Sequence, residues 1–164
     1  MKWILIVVGV LAALAALIAI VGWSLPVKHV ASRQRTFAAS PDVMWRIITD
    51  VDAFPSWRSD VKRVERVANA GPVTWVEHGS SGRITFSIDA SDPPRRLVTR
   101  IADPSLPFGG NWTYDLAPSG GGTQLTITEN GEIYNPVFRA LARFVFGFEA
   151  TMTAYLDALG RKVG

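Results

Sequence analysis

Hydrophobic and polar positions divide the chain into two parts with different patterns. Residues 3–23 form an uncharged apolar run of 21 residues with a tryptophan at each end, whereas apolar and polar residues are interspersed after Ser24. As a helix the run would span roughly 30 Å, the thickness of the hydrocarbon layer of a bilayer, and tryptophan is favoured at the headgroup boundary. The pattern predicts a transmembrane anchor over residues 1–26 and a water-soluble domain over residues 27–164.

A cleaved secretory signal is the alternative interpretation of this run, since it starts close to Met1 and follows Lys2. The run is longer than the ~7–15 apolar residues of a signal core, and no small-x-small cleavage site follows it. We therefore expect an uncleaved single-pass anchor in a bacterial plasma membrane. Positive charges lie at both ends of the run, so the sequence leaves open which side of the membrane the domain faces.

The soluble part begins with one strand and a helix pair. Residues 28–38 are typical of a strand, and Ser40-Pro41-Asp42 is a helix start, with an N-cap serine and a proline at the first helical position. Pro55 then interrupts this helix and favours a second short helical turn.

Residues 61–133 have the period of two that is typical of strands, and turn residues divide them into about six segments, one division falling at residues 69–72. Short connections between them favour antiparallel neighbours. Asn135-Pro136 begins a last helix that is predicted to end near Gly160. The order of elements predicts an α+β domain.

Alternation assigns the apolar residues of these strands to one face of the sheet. That face carries Trp75, Glu77, Ile84, Phe86, Ile88, Trp112, Tyr114, Leu116, Leu125, Ile127 and Glu129. The last helix has a stripe with steps of three and four, formed by Phe138, Leu141, Val145, Phe148, Met152, Tyr155 and Leu159. An apolar stripe must be buried, so we expect it to lie on the apolar face of the sheet.

Composition excludes several classes of protein. The net charge is +3 with scattered basic residues, which argues against nucleic-acid binding. The chain has no cysteine, so disulfides and thiolate metal sites are excluded. The two histidines, His29 and His78, are far apart and are expected at a linker and a turn, so no metal site is predicted. We expect no cofactor.

Three segments resemble the SRPBCC superfamily, which contains START lipid-transfer domains, plant pathogenesis-related ligand binders and polyketide cyclase/dehydrase proteins. They are ASPDVMWRIITDVDAFPSWRSDV, GNWTYDLAPSGGGTQLTITENGEI and NPVFRALARFVFGFEATMTAYLDAL, and the resemblance covers residues 28–160. It implies the helix-grip (START-like) fold, in which a curved antiparallel sheet of about seven strands surrounds a long C-terminal helix. It also implies a cavity between sheet and helix that binds a hydrophobic small molecule, with chemistry on that molecule in some members.

The residues expected to bind the ligand follow from this fold. They are Trp75, Phe86, Ile88, Trp112, Tyr114 and Glu129 on the sheet, and Phe138, Leu141, Phe148 and Met152 on the last helix. For Trp75 and Trp112, lining a cavity and filling a core are equally good interpretations. The loop at residues 103–110 is predicted to be a lid, and Leu106, Phe108 and Phe144 are predicted to form the cavity rim, with Phe146 beside them.

Acid–base chemistry is the second hypothesis for this cavity. Glu77 and Glu129 occupy apolar-face positions, where a carboxyl without a partner would be unfavourable, and Tyr114 is expected on an adjoining strand. Each is a candidate for proton transfer, and Arg100 is a candidate counter-ion, although alternation assigns it to the opposite face.

The function predicted from the sequence is membrane-anchored binding, for transport or sensing, of a lipid or polyketide-like compound. An enzyme of cyclase or dehydrase type is the alternative, and we consider catalysis the less favoured interpretation. A second alternative is a structural or assembly partner of a membrane protein.

Overall fold

A seven-stranded antiparallel sheet with the order β1-β7-β6-β5-β4-β3-β2 dominates the computed structural model, which describes residues 1–68 and 71–164. The strands are β1 (Lys28–Phe37), β2 (Val61–Arg66), β3 (Thr74–Gly79), β4 (Gly82–Asp92), β5 (Arg96–Ile101), β6 (Phe108–Ser119) and β7 (Gly122–Ile133). The predicted turn at 69–72 lies partly outside the described residues.

In the described part of the chain four α-helices accompany the sheet: α1 (Lys2–Ser24), α2 (Pro41–Thr49), α3 (Pro136–Leu141) and α4 (Ala150–Val163). A 3-10 turn (Val51–Ser56) follows α2, and a π-helical segment (Ala142–Phe146) follows α3. Bulges bend β2 near Val61 and β4 near Ile88. The curved sheet holds α4 against its inner face, so the predicted α+β helix-grip fold is confirmed.

The core lies between the long central strands and the helices α2 and α4. Alternate residues of β6 and β7 point inward, and they meet helix residues that are fully enclosed. The buried cluster consists of Phe37, Met44, Ile48, Leu97, Tyr114, Leu116, Leu125, Ile127, Met152, Tyr155, Leu156 and Leu159. A smaller cluster of Val51, Phe54, Val61 and Trp75 continues it toward β2.

The C-terminal helix differs from the single helix expected over residues 136–160. Gly147 has a φ of +72°, a conformation that L side chains rarely adopt, and it separates α4 from α3 and the π-helical segment. Only α4 packs in the sheet, whereas α3 packs against α1. Phe138 and Val145 of the predicted stripe are consequently exposed, and only its C-terminal half lies in the core.

Helix α1 is long and apolar enough to cross a membrane, as a cleaved signal segment would also be. Its last two turns are attached to the domain. A Cβ atom at Gly22 would lie 1.8 Å from the carbonyl oxygen of Pro136, so only glycine permits this approach. Three residues, 25–27, connect α1 to β1, and the backbone N–H of Ile133 donates to the carbonyl of Val27 at 2.9 Å.

Candidate functional site

A cavity of about 320 Å³ lies between the concave face of the sheet and the helical elements α2, α4 and the 3-10 turn. Such a volume is at the lower end of the range for small-molecule sites. Its walls are mostly apolar and aromatic: Ile48, Val51, Phe54, Trp75, Ile84, Phe86, Ile88, Leu97, Ile101, Phe108, Trp112, Tyr114 and Tyr155. Its polar side chains include Arg58, Glu77, Thr99, Glu129 and Thr151.

Packing of the aromatic rings explains why the space stays open. Trp75 stacks on Phe86 with 5.6 Å between ring centroids, and Trp112 meets Tyr155 edge-on at 5.9 Å. Each pair joins two secondary-structure elements and fixes its rings in one arrangement. The rings therefore form rigid walls, in keeping with a cavity that is preformed.

A buried ion pair occupies one side of the cavity. The guanidinium of Arg58 donates to Oε1 of Glu77 at 3.1 Å and to Asp60 at 2.6 Å, and it lies 3.1 Å from Oε2 of Glu77. The indole N–H of Trp75 donates to the same carboxylate at 3.0 Å. Burial opposes the charge of Arg58, but its hydrogen bond to Asp60 and the negative charge of Glu77 outweigh this effect and raise its pKa. The carboxylate of Glu77 is thus compensated by two hydrogen bonds at Oε1 and by the guanidinium charge beside Oε2.

Two tyrosines adjoin this ion pair. The rings of Tyr114 and Tyr155 are 5.8 Å apart, and the Arg58 guanidinium lies 5.4 Å from the Tyr155 ring centroid. Burial raises the pKa of Tyr114 well above its ordinary value, against the opposing influence of the Arg58 charge. Burial and the neighbouring Tyr114 also raise the pKa of Tyr155. Both hydroxyls therefore remain protonated at neutral pH and act as hydrogen-bonding groups rather than as bases.

A second polar cluster surrounds Glu129 on the opposite side. Its carboxylate accepts a hydrogen bond from the indole N–H of Trp112 at 2.9 Å and lies 3.2 Å from Nε2 of His29. The His29 ring stacks on Phe148 with 3.9 Å between centroids. A Cβ atom at Gly131 would lie 2.3 Å from this ring, so the glycine provides the space that His29 occupies. The cluster joins β1, β6, β7 and the bend that precedes α4.

The structure brings together the predicted sheet residues. Trp75, Phe86, Ile88, Trp112, Tyr114 and Glu129 line the cavity, as do Glu77 and the rim residue Phe108. Trp75 is buried in the core, and Trp112 is half-buried and packs against it, so lining a cavity and filling a core do not exclude each other for these two residues.

The helix residues predicted to bind the ligand lie elsewhere, because the C-terminal helix is split. Phe138 is exposed and Leu141 is half-buried on α3, beside α1. Phe148 contacts His29, and Met152 is fully enclosed by the core. None of these four residues is part of the cavity wall.

The predicted rim is only partly assembled. Leu106 is half-buried in the loop before β6, whereas Phe144 and Phe146 are exposed on the π-helical segment. Their expected role at the mouth required a single helix along the sheet, and the break at Gly147 removes that geometry.

Arg100, the candidate counter-ion, lies on the outer face that alternation assigned to it and pairs with Asp89 at 3.0 Å. Arg58 is the counter-ion of Glu77 in the structure. It was not singled out from the sequence, because its position directly after the AFPSW turn was the only indication of such a role. His29 lies in β1, within the strand predicted over residues 28–38, and not in a linker. Over residues 1–68 and 71–164, no group of three His, Asp or Glu side chains has the arrangement of a metal site.

Comparisons with known proteins agree with this architecture. A family model described as "Polyketide cyclase / dehydrase and lipid transport" matches residues 28–164. No curated protein sequence matches the chain.

Several solved structures share the fold at low sequence identity. A START superfamily protein from Mycobacterium smegmatis is 19% identical, with a TM-score of 0.64 over 82% of this chain and 97% of that chain. The Zhui aromatase/cyclase from Streptomyces sp. R1128 is 16% identical, with a TM-score of 0.66 over 83% and 93% of the two chains. Norcoclaurine synthase from Thalictrum flavum is 12% identical, with a TM-score of 0.66 over 88% and 90%.

Proposed function

Because this chain belongs to the polyketide cyclase/dehydrase and lipid-transport family, we propose that its domain binds one small hydrophobic molecule in the cavity, next to the membrane in which α1 is anchored. The observation that carries the proposal is the aromatic-walled cavity of about 320 Å³ beneath the sheet. A ligand that buries about 250 Å² of apolar surface there would gain roughly 6 kcal/mol before its loss of entropy.

The polar groups of the cavity favour binding over acid–base catalysis. Glu77 accepts hydrogen bonds from Arg58 and Trp75 on Oε1, and its Oε2 lies 3.1 Å from the Arg58 guanidinium. Glu129 is held between Trp112 and His29. A general base needs an oxygen that can approach the proton of the substrate. These carboxylates are better suited to fixing the aromatic walls, and Thr99, which pairs with Trp112 on the inner face, remains as a group that orients a polar end of the ligand.

Proximity of the cavity to α1 supports a ligand taken from the bilayer. Phe108 begins β6 at the cavity wall and pairs with Ile133, whose backbone N–H donates to Val27 directly after the anchor. The N–H of Tyr134 also donates to the carbonyl of Pro107, at 2.9 Å. One end of the cavity is therefore close to the end of α1, and the lid role of Leu106 and Phe108 stays a prediction for that end.

An uncleaved anchor is supported by Arg139, which is 7% exposed. Its guanidinium donates to the carbonyls of Gly22 and Leu25 at 3.1 and 2.8 Å. Removal of α1 by a signal peptidase would take these two acceptors away and leave Arg139 with the carbonyls of Ile133 and Tyr134, so the full set of contacts forms only in the uncleaved chain.

Native mass spectrometry of the full chain, released from detergent micelles, tests the proposal. We expect the wild type to carry one additional small mass and the Ile84→Trp variant, whose indole would fill the cavity, to lose it. Thr85→Trp is the matched control, because the neighbouring residue points to the opposite face of β4. Equal occupancy in all three proteins, or a wild type without bound mass after incubation with cell lipid extract, would contradict ligand binding in this cavity.

Catalysis on the same ligand is the second candidate, favoured by the two adjoining tyrosine hydroxyls. Once the bound compound is identified, incubation with the wild type and with Tyr155→Phe distinguishes the two functions. Recovery of unchanged compound from the wild type supports binding alone, whereas conversion that Tyr155→Phe lacks supports an enzyme.

A further inference from the structure

The exposed phenylalanines of the domain are concentrated in one short segment. Phe138, Phe144 and Phe146 are 53%, 68% and 64% exposed, and Val145 between them is 66% exposed. All belong to residues 136–147, which comprise α3, the π-helical segment and Gly147. Within the residues that the structure describes, no other phenylalanine is classed as exposed. A contiguous apolar patch of this kind is unusual on a domain surrounded by water.

Arg139 fixes the position of this segment against the end of α1. Its guanidinium donates to Gly22 and Leu25 on one side, and to the carbonyls of Ile133 and Tyr134 at 2.9 and 3.0 Å on the other. Four carbonyl groups from two parts of the chain thus meet at one buried cation. The close approach of Pro136 to Gly22 lies beside it. Segment and anchor are therefore held together as one unit.

The start and the end of the segment are fixed as well. Asn135 accepts hydrogen bonds from the backbone N–H groups of Val137 and Phe138 at 2.9 and 3.2 Å, and so caps α3. At the other end the stack of Phe148 on His29 returns the chain to the base of β1. The segment therefore leaves the domain and returns to it close to where α1 enters.

These positions place the segment at the membrane boundary that the proposed anchor defines. Trp23, 79% exposed, lies at the end of α1 where an indole is suited to the headgroup layer, and the contact between Gly22 and Pro136 brings α3 to the same level. Eleven helical residues extend only about 16 Å, so the segment stays near this boundary in any orientation.

Charge also fits a lipid surface. Residues 133–148 contain no acidic side chain, and the exposed charge among them is the positive one of Arg143. A cation beside apolar side chains is typical of segments that lie in the interface of anionic membranes. If an apolar surface of another protein covered this segment instead, the positive charge of Arg143 would have no role in the contact.

We propose that residues 136–147 form a second membrane contact, in which Phe138, Phe144, Val145 and Phe146 enter the interface of the bilayer that α1 spans. The inference rests on the proposed anchor and extends it. The domain is then held in one orientation by two adjacent elements, with the Phe108 end of the cavity near the lipid surface, instead of moving freely on a flexible linker.

Site-directed spin labelling tests this contact, because the chain has no cysteine of its own. Single cysteines are introduced into the full chain as Val145→Cys, Val73→Cys and Leu11→Cys, labelled with a nitroxide, and reconstituted at one protein per nanodisc of phosphatidylcholine and phosphatidylglycerol. Val73 is the matched control, an exposed valine in the connection before β3, and Leu11 is the reference inside α1. Electron paramagnetic resonance gives the accessibility of each label to oxygen, which enriches in lipid, and to a water-soluble nickel complex.

We expect the oxygen-to-nickel ratio at Val145 to be several-fold above that at Val73 and below that at Leu11. A ratio at Val145 equal to that at Val73, with Leu11 in lipid, would overturn the second contact and leave the anchor intact. Low accessibility of Val145 to both reagents would indicate coverage by protein and would also overturn it. A water-accessible Leu11 would reject the anchor and the inference together, whereas cavity occupancy is measured separately by native mass spectrometry. Phe144→Cys provides a second position for the same measurement.

Discussion

Substitution of Glu77 by glutamine removes one charge from the buried ion pair while preserving the shape of the side chain. In the native protein this carboxylate faces the Arg58 guanidinium with two contacts of 3.1 Å, and the two side chains are 10% and 14% exposed. The amide oxygen of glutamine can still accept the hydrogen bond from Trp75. The amide NH₂ group, however, faces the guanidinium as a second donor, so one contact becomes repulsive.

Removal of one partner of a buried ion pair destabilises a protein by about 3–5 kcal/mol, because the other charge stays buried. Asp60 remains beside Arg58 at 2.6 Å, but this carboxylate is 51% exposed and compensates only in part. We therefore expect a loss of about 2–3 kcal/mol. For a domain of this size 1 kcal/mol corresponds to about 3 °C, so the Tm should fall by roughly 6–9 °C.

Asp115→Asn is the matched control. Asp115 also accepts two hydrogen bonds from one arginine, Arg96, at 2.7 and 3.1 Å, but these side chains are 41% and 58% exposed. Exposed pairs contribute ~0.2–1 kcal/mol, so the control should lose no more than about 3 °C.

Thermal unfolding of the full chain in detergent micelles, followed by near-ultraviolet circular dichroism, compares the two variants. Trp75, which contacts Glu77 directly, contributes to this signal. If Glu77→Gln lowers the Tm by no more than Asp115→Asn, burial does not determine the contribution of this ion pair, and the reasoning above is refuted.

Two further predictions concern alkaline pH and the attachment of α1. Burial raises the pKa of Tyr114 and Tyr155 in the folded state, so above pH ~10 the folded protein binds more protons than the unfolded chain. The free energy of unfolding is therefore retained below that pH and falls above it by about 1.4 kcal/mol per pH unit for each tyrosine. Denaturant unfolding between pH 8 and pH 11 should show this decline, and a pH-independent midpoint would contradict it. Gly22→Ala should separate α1 from α3, because the added Cβ atom would lie 1.8 Å from the Pro136 oxygen, and should accelerate hydrogen exchange of α3 by roughly tenfold. Gly9→Ala, with no atom within 4 Å of the added Cβ, should leave that exchange unchanged, and equal rates in the two variants would contradict the docking of α1.

Much of the fold was predictable because it follows from local periodicity. Alternation in β6 and β7 assigned Tyr114, Leu116, Leu125 and Ile127 to the inner face, and the structure places all four in the core. A strand has only two faces, so one apolar row determines the orientation of its whole length. The apolar length of α1 follows from composition in the same way.

The split of the C-terminal helix was not predictable from its stripe. Spacing by three and four indicates that one face of a helix is apolar, but it does not specify what covers that face. In α3 the packing partner is α1, while Phe138 and Val145 of the stripe stay exposed. Arg139, the second residue of FRALARFVF, was the one signal of a partner other than the sheet. Which carbonyl groups Arg139 meets depends on segments more than a hundred residues apart.

The candidate site likewise has a part that was predictable from local sequence and a part that was not. By itself the sequence determined which side chains point toward the cavity, including Glu77 and Glu129, because each lies on a strand with a readable alternation. Only the tertiary structure decided that Arg58 neutralises one carboxylate and that His29 and Trp112 hold the other. The physical reason is that the orientation of a side chain is set by its own strand, whereas its partner is set by which distant elements the fold brings within about 3 Å.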